Sequence, residues 1–295
     1  MEDSRGQIIL VAALGIAVTL VALAVIVNTV IFTENLATRN TVEGQEAIMV
    51  ERSSEEAVAD LMAYANEYNN STYDKVKGQF KRDVHNLRVG QNVHALTEGG
   101  MVNVSVVKIN EGTTIIQNKS GPLTSGSDSN NWTMATMVKN TRWFHLRFES
   151  SGTDSTGVHI FVRKDNSKWW LNISHNSNYT IKVDPPGPDV TSKQIDATNL
   201  LINVTNGSIN GNSWPALTFG EGVGKPYKIG IVRGENASAT YNLTVDTKVD
   251  DAKYNSRPNT PFLSRIIYNA TVNVTVIRPD LTYAGNVTVA PPRNP

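Results

Sequence analysis

The stretch Arg265-Ile266-Ile267-Tyr268-Asn269-Ala270-Thr271-Val272-Asn273-Val274-Thr275-Val276-Ile277-Arg278 decides the fold class. From Asn269 to Val276 every second residue is Ala or Val, and every residue between is Asn or Thr. Successive side chains of a β-strand point to opposite faces, so this pattern predicts a strand with one dry and one wet face. The same habit recurs in Asn103-Val104-Ser105-Val106, Asn242-Leu243-Thr244-Val245 and Asn286-Val287-Thr288-Val289. The spacing between these stretches is irregular, which excludes a solenoid.

Working outward, period-2 runs separated by turn formers predict further strands at 101–110, 113–117, 132–139, 142–149, 158–163, 168–173, 179–183, 200–205, 228–233, 240–248 and 286–290. Glu111-Gly112 and Asp165-Asn166 read as hairpin turns. Many short strands with frequent turns predict antiparallel sheets packed as a sandwich. Pro185-Pro186-Gly187-Pro188 reads as a rigid connector, because proline neither donates to a ladder nor holds a helix. It divides the β-rich part into 99–184 and a second sub-domain, 185–295. The tail Pro291-Pro292-Arg293-Asn294-Pro295 reads as similarly extended.

The first third of the chain differs. All 12 prolines lie from Pro122 onward. Ile8 to Phe32 carries no charge, and as a helix it would be about 37 Å long against a hydrocarbon core of about 30 Å. The apolar run is longer than that of a cleaved secretory signal, so it predicts a retained transmembrane helix. Val50, Val58, Leu61, Ala65 and Tyr68 continue at helical intervals among charged residues, which predicts a stalk over 33–98. Within it, Ser71 and Asp74 open a second helix whose apolar face uses Val76, Phe80, Val84 and Leu87. The basic residues Lys75, Lys77, Lys81, Arg82 and Arg88 read as its solvated face. The expected class is therefore α+β: a long N-terminal transmembrane and stalk helix followed by an antiparallel β-sandwich-like ectodomain.

Composition narrows the function. The 27 basic and 27 acidic residues cancel, which argues against a nucleic-acid partner. The absence of cysteine excludes disulfides and thiolate chemistry. Fourteen asparagines begin an Asn-X-Ser/Thr triplet: Asn69, Asn70, Asn103, Asn118, Asn131, Asn172, Asn178, Asn203, Asn206, Asn236, Asn242, Asn269, Asn273 and Asn286. Random placement of the chain's asparagines would give roughly 5 such N-glycosylation acceptors. The plainer account of the excess is that Asn and Thr fill the wet faces of strands, where a glycan can also sit. All fourteen follow the apolar segment. They therefore place 1–7 in the cytoplasm and predict a single-pass protein of the cell membrane with its C-terminal domain extracellular.

The leader Met1-Glu2-Asp3-Ser4-Arg5-Gly6-Gln7, abutting the apolar run, resembles the class III signal of archaeal type IV pilin-like proteins. That resemblance implies cleavage between Gly6 and Gln7, with Arg5 in the recognition motif; the fifth mature position holds Val11, where bacterial major pilins usually carry Glu. Together with Val27–Asn35, Tyr268–Val272 and Pro279–Tyr283, the leader is similar to an uncharacterised archaeal family of single-span, pilin-like surface proteins. The resemblance implies a minor or accessory subunit of a type IV-like filament or surface assembly. Its partners would be membrane lipid, other pilin-like subunits through the N-terminal helix, and the pilus assembly machinery. A monomeric, membrane-anchored surface glycoprotein is the alternative.

No catalytic constellation is legible. The five histidines lack metal-ligand spacing, although His145 and His159 fall on consecutive predicted strands. Asp246, Asp250 and Asp251 do not form a calcium loop. Gly220 to Lys225 lacks the phosphate-loop frame, and Pro226 blocks the helix such a loop would need. Trp132, Trp143-Phe144 and Trp169-Trp170 suggest a sugar-stacking platform, but neighbours on a strand face opposite ways, so one ring of each pair belongs to the core. The expectation is a non-enzyme without metal or cofactor.

Overall fold

The computed structural model describes residues 3–67, 72–97, 99–254 and 260–292, with side chains described at 20, 23–30 and from 44 onward within those ranges. The helices are α1 (Asp3–Glu67) and α2 (Tyr73–Thr97). The strands are β1 (Met101–Pro122), β2 (Trp132–Val138), β3 (Thr141–Glu149), β4 (Val158–Lys164), β5 (Ser167–His175), β6 (Tyr179–Asp184) and β7 (Thr191–Ile195). They continue with β8 (Asn199–Asn203), β9 (Ser208–Ile209), β10 (Asn212–Ser213), β11 (Tyr227–Val232), β12 (Ser238–Val245), β13 (Phe262–Arg278) and β14 (Leu281–Val289).

α1 is helical from Asp3 to Glu67. The reading of 8–32 as a membrane span is nonetheless corrected, because among the described residues no helix is long and apolar enough to cross a membrane. A span needs about 20 consecutive, predominantly apolar residues. Beyond Gly44, α1 is instead amphipathic: Ala47, Val58, Met62 and Ala65 are buried, while Arg52 and Glu56 between them are exposed. The transmembrane assignment, lipid as a partner, association with pilin-like subunits through the N-terminal helix, and single-pass localisation with an extracellular C-terminal domain all rested on that span and are corrected with it. The α+β class with a membrane helix gives way to a mostly β-sheet chain.

The chain divides into two compact units. The smaller comprises Met1–Ala57, His85–Ser105 and Asn273–Val287. In it α1 is fastened to β13 and β14: Glu46 pairs with Arg278 at 2.8 Å, and the Tyr283 hydroxyl donates to Glu51 at 2.6 Å. Buried Ser54 accepts from Gln91 of α2 at 2.9 Å. The Asn92 side chain accepts from the Val102 amide at 2.9 Å and caps the approach to β1.

The larger unit comprises Val58–Val84, Val106–Val272 and Thr288–Pro295. One sheet here runs β10-β9-β8-β3-β12-β1-β13 and the other β2-β11-β4-β5-β6-β7. β12 pairs antiparallel with both β1 and β3, and β4 with both β5 and β11. Alternation sets the layering. Phe144, Leu146 and Phe148 of β3, Leu243 of β12, Ile160 and Val162 of β4, Trp169 and Leu171 of β5, and Ile229 and Ile231 of β11 join in one buried cluster. The two sheets therefore share one core, as in a sandwich. Each such side chain contributes roughly 1.5–3 kcal/mol by leaving water. Asn66, near the end of α1, clamps β13 by donating to the Ile267 carbonyl at 3.0 Å and accepting from its amide at 2.8 Å.

One local expectation changes. β1 runs straight through Glu111-Gly112, so no hairpin forms there. A Cβ on Gly112 would lie 2.6 Å from the Val245 carbonyl oxygen and 2.8 Å from Cβ of Tyr268. The glycine is there for close strand approach, not for a turn. Asp165-Asn166 does form a turn, with Lys164 opposite Ser167 and Asp165 at φ 50°. Pro185 to Pro188 joins β6 to β7, which are neighbours in one sheet.

Gly112→Ala should therefore cost about 1–3 kcal/mol through overpacking. Gly44→Ala, whose new Cβ would meet nothing within 4 Å, should gain roughly 0.5–1 kcal/mol from helix propensity. Urea unfolding of both variants measures the contrast; equal effects would contradict the strand path through Gly112.

Candidate functional site

The sequence-predicted site residues fall into three groups. The side chains of Arg5, Gly6 and Gln7 lie outside the described residues, as do Asn69 and Asn70. Of the remaining twelve acceptor asparagines, Asn118, Asn131, Asn206 and Asn286 are exposed. Asn103, Asn172, Asn178, Asn203, Asn236, Asn242, Asn269 and Asn273 are half-buried, and none is fully buried. β13 shows why: Ala270, Val272, Val274 and Val276 take the buried positions, leaving Asn269, Thr271, Asn273 and Thr275 on the wetter face.

Hydrogen bonding separates these asparagines further, since a glycan is attached through Nδ2 and leaves that nitrogen one N–H. Asn236 donates from Nδ2 to the Thr156 hydroxyl at 2.8 Å and to the Gly157 carbonyl at 3.4 Å. Asn273 donates to the Gly285 carbonyl at 3.3 Å and to Oδ1 of Asn286 at 3.0 Å. Elsewhere the oxygen is engaged: Asn131 accepts from the Arg233 amide at 2.9 Å, Asn269 accepts from Asn110 at 2.6 Å, and Asn172 bonds to His159 through Oδ1.

Asn203 and Asn206 belong to a tightly bonded loop. Oδ1 of Asn203 accepts from the Thr205 hydroxyl at 3.1 Å and from the Asn206 amide at 3.0 Å. Gly207 follows at φ 61°, where a Cβ would meet the Leu217 carbonyl oxygen at 2.8 Å, so glycine is required there. The Trp214 amide returns to the Gly207 carbonyl at 2.7 Å, and the Leu217 amide donates to the Trp214 carbonyl at 2.9 Å. This brings Asn206 and Trp214 to one cavity of about 470 Å³, also lined by Phe219, Tyr227, Thr218 and Lys225. Phe219 makes edge contacts with Phe144, Trp169 and Tyr227 at centroid distances of 6.1, 5.6 and 6.2 Å, so the wall is anchored in the core. Lys225 donates to Asn140 at 2.8 Å, and Asn140 donates to Asp246 at 3.0 Å. Sequence reasoning missed this site because Trp214 stands in a loop. The available signal was the pair Asn206-Gly207 only a few residues before Trp214.

The other chemical candidates separate. His145 is on β3 and His159 on β4, in different sheets, so the two histidines do not share a strand pair. Burial lowers the pKa of His145. Asp246 accepts from the Lys139 amide at 2.9 Å, Asp250 from the Ala252 amide at 3.1 Å, and Asp251 pairs with Arg265 at 2.7 Å. No group of three or more His, Cys, Asp or Glu suited to a metal occurs among the described residues. Trp169 and Phe144 are fully buried and Trp132 nearly so, while their partners Trp170 and Trp143 are half-buried. Trp170 meets Phe161 edge-on at 5.6 Å.

Residues 2–113 match the model of a family of unknown function, DUF7261. The match ends inside β1 and leaves the rest of the sandwich outside it. No curated protein matches the chain.

Tyrosine burial makes a pH prediction. Burial pushes the hydroxyl of Tyr179 up from 10.0 to about 12, and that of Tyr268 to about 12 against the opposing pull of Arg142. Desolvation also raises Tyr227 in the cavity wall, while its bond with the Thr141 hydroxyl lowers it. A folded-state pKa above the unfolded value stabilises the fold fully below pH 10 and loses that contribution as pH rises toward 12. Circular dichroism against pH should thus show unfolding across this window, together with tyrosinate absorbance. Tyrosinate absorbance already complete near pH 10 in a chain that stays folded would contradict the burial.

Proposed function

We propose that the chain is a non-catalytic, N-glycosylated subunit of a surface assembly. One observation carries the reading: none of the described acceptor asparagines is fully buried, and Asn118, Asn131, Asn206 and Asn286 are exposed. A bulky, hydrated glycan requires such exposed positions. The resemblance of the leader Arg5-Gly6-Gln7 and of the chain's two ends to pilin-like surface proteins supports the assembly half of the reading. The charge balance of 27 basic against 27 acidic residues supports a partner other than nucleic acid.

Peptide mass spectrometry of the native protein tests the proposal. Glycan mass is expected on peptides that carry Asn118, Asn131 or Asn286. Unmodified asparagine at all twelve described acceptors would sink it and leave strand alternation as the whole reason for the Asn-X-Thr excess.

A further inference from the structure

Asn206 is set apart by its surroundings. It is exposed, and it lines the cavity that Trp214, Phe219 and Tyr227 wall. A pyranose ring has an apolar C–H face and a rim of hydroxyls. It therefore fits a site with aromatic surface on one side and amide, hydroxyl or ammonium groups at the edge. This cavity has both. Trp214 and Phe219 are partly buried and packed against the core, while Thr218, Ser213 and Lys225 supply the polar edge. Its volume of about 470 Å³ lies in the usual range of small-ligand sites.

From this arrangement we infer that Asn206 is N-glycosylated and that the Trp214 cavity seats the first sugar of its glycan. The inference rests on the glycosylation reading above and names one site within it. A sugar attached at Nδ2 of Asn206 begins at the cavity wall, so its docking is intramolecular and does not depend on a dilute external ligand. The loop that presents it is already fixed, by the capping of the Asn206 amide by Asn203, by the constrained Gly207 and by the return bond from Trp214. Little ordering entropy remains to oppose docking. Asn118 also lines a cavity, of about 290 Å³, but its neighbours there include His145 and Arg147, and the one aromatic residue, Tyr241, is buried toward the core.

Two measurements on the full, native chain test the inference. Peptide mass spectrometry should find glycan on Asn206. Bare Asn206 beside glycosylated Asn118, Asn131 or Asn286 overturns the seat and leaves the general reading standing, whereas bare asparagine throughout overturns both. Thermal unfolding then tests docking. Ser208→Ala removes the acceptor triplet and leaves Asn206 itself in place. It should lower Tm by about 2–4 °C, and this loss should vanish in a Trp214→Leu background. An equal loss in both backgrounds overturns the seat. If Trp214→Leu does not fold, hydrogen exchange of the wild-type protein against Ser208→Ala decides. The amides of Trp214 and of 216–219 should be slower to exchange when the glycan is present, and unchanged rates overturn the inference.

Discussion

The two-sidedness of a β-strand governs this molecule. In the larger unit two sheets turn their inner faces onto one apolar cluster, from Phe144 and Leu243 on one side to Trp169 and Ile229 on the other. A slip of one residue in any central strand would exchange its apolar set for its polar set. In β12, for example, it would bring Thr240 and Asn242 inward in place of Tyr241 and Leu243, leaving hydroxyl and amide groups without water. The register His145 opposite Asn242 and Leu146 opposite Tyr241 is held by that penalty.

The same period explains why acceptor triplets are so common here. Asn-X-Ser/Thr places its two polar residues two apart, which is the period of a strand, so both fall on one face and X on the other. In β13, Thr275 donates to Asn273 at 2.9 Å, across one such triplet. The apolar X of Asn-Val-Thr, such as Val274, supplies the core. Strand alternation and the acceptor excess are thus one pattern with two readings, and counting triplets does not separate them. Their surroundings do.

Sequence made the strands legible wherever one face is dry. β13 from Asn269 to Val276, β4 and β5 follow their alternation closely. Thr191–Ile195, Ser208–Ile209 and Asn212–Ser213 carried no such signal, being short, polar and at or near sheet edges. Gly112 was misleading because glycine serves both turns and close backbone approach, and only the position of Val245 distinguishes the two. The contacts of α1 beyond Gly44 were illegible because they are made with residues distant in sequence, such as Arg278 and Tyr283. The Trp214 cavity was illegible because hydrogen bonds within one loop, not periodicity, bring its parts together.

Geometry also ranks asparagines that sequence treats as equal. At Asn236 the side-chain nitrogen holds the loop in which the Asp154 carboxylate accepts from the Thr156 amide and hydroxyl and from the Gly157 amide, at 2.9, 2.6 and 2.8 Å. Those bonds, the Thr156 hydroxyl first, hold the Asp154 carboxyl below its ordinary pKa. Gly157 sits at φ 67°, where a Cβ would meet the Ile173 carbonyl oxygen at 2.3 Å, so the loop has little freedom to rearrange. A sugar on Asn236 would remove one N–H from two engaged acceptors, whereas Asn203 holds its turn through Oδ1, which glycosylation leaves intact. Asn236 is therefore a strut of its loop. Asn206, whose own amide is capped by Asn203 and whose side chain is exposed, combines a fixed backbone with an accessible nitrogen, the pairing that a seated glycan needs.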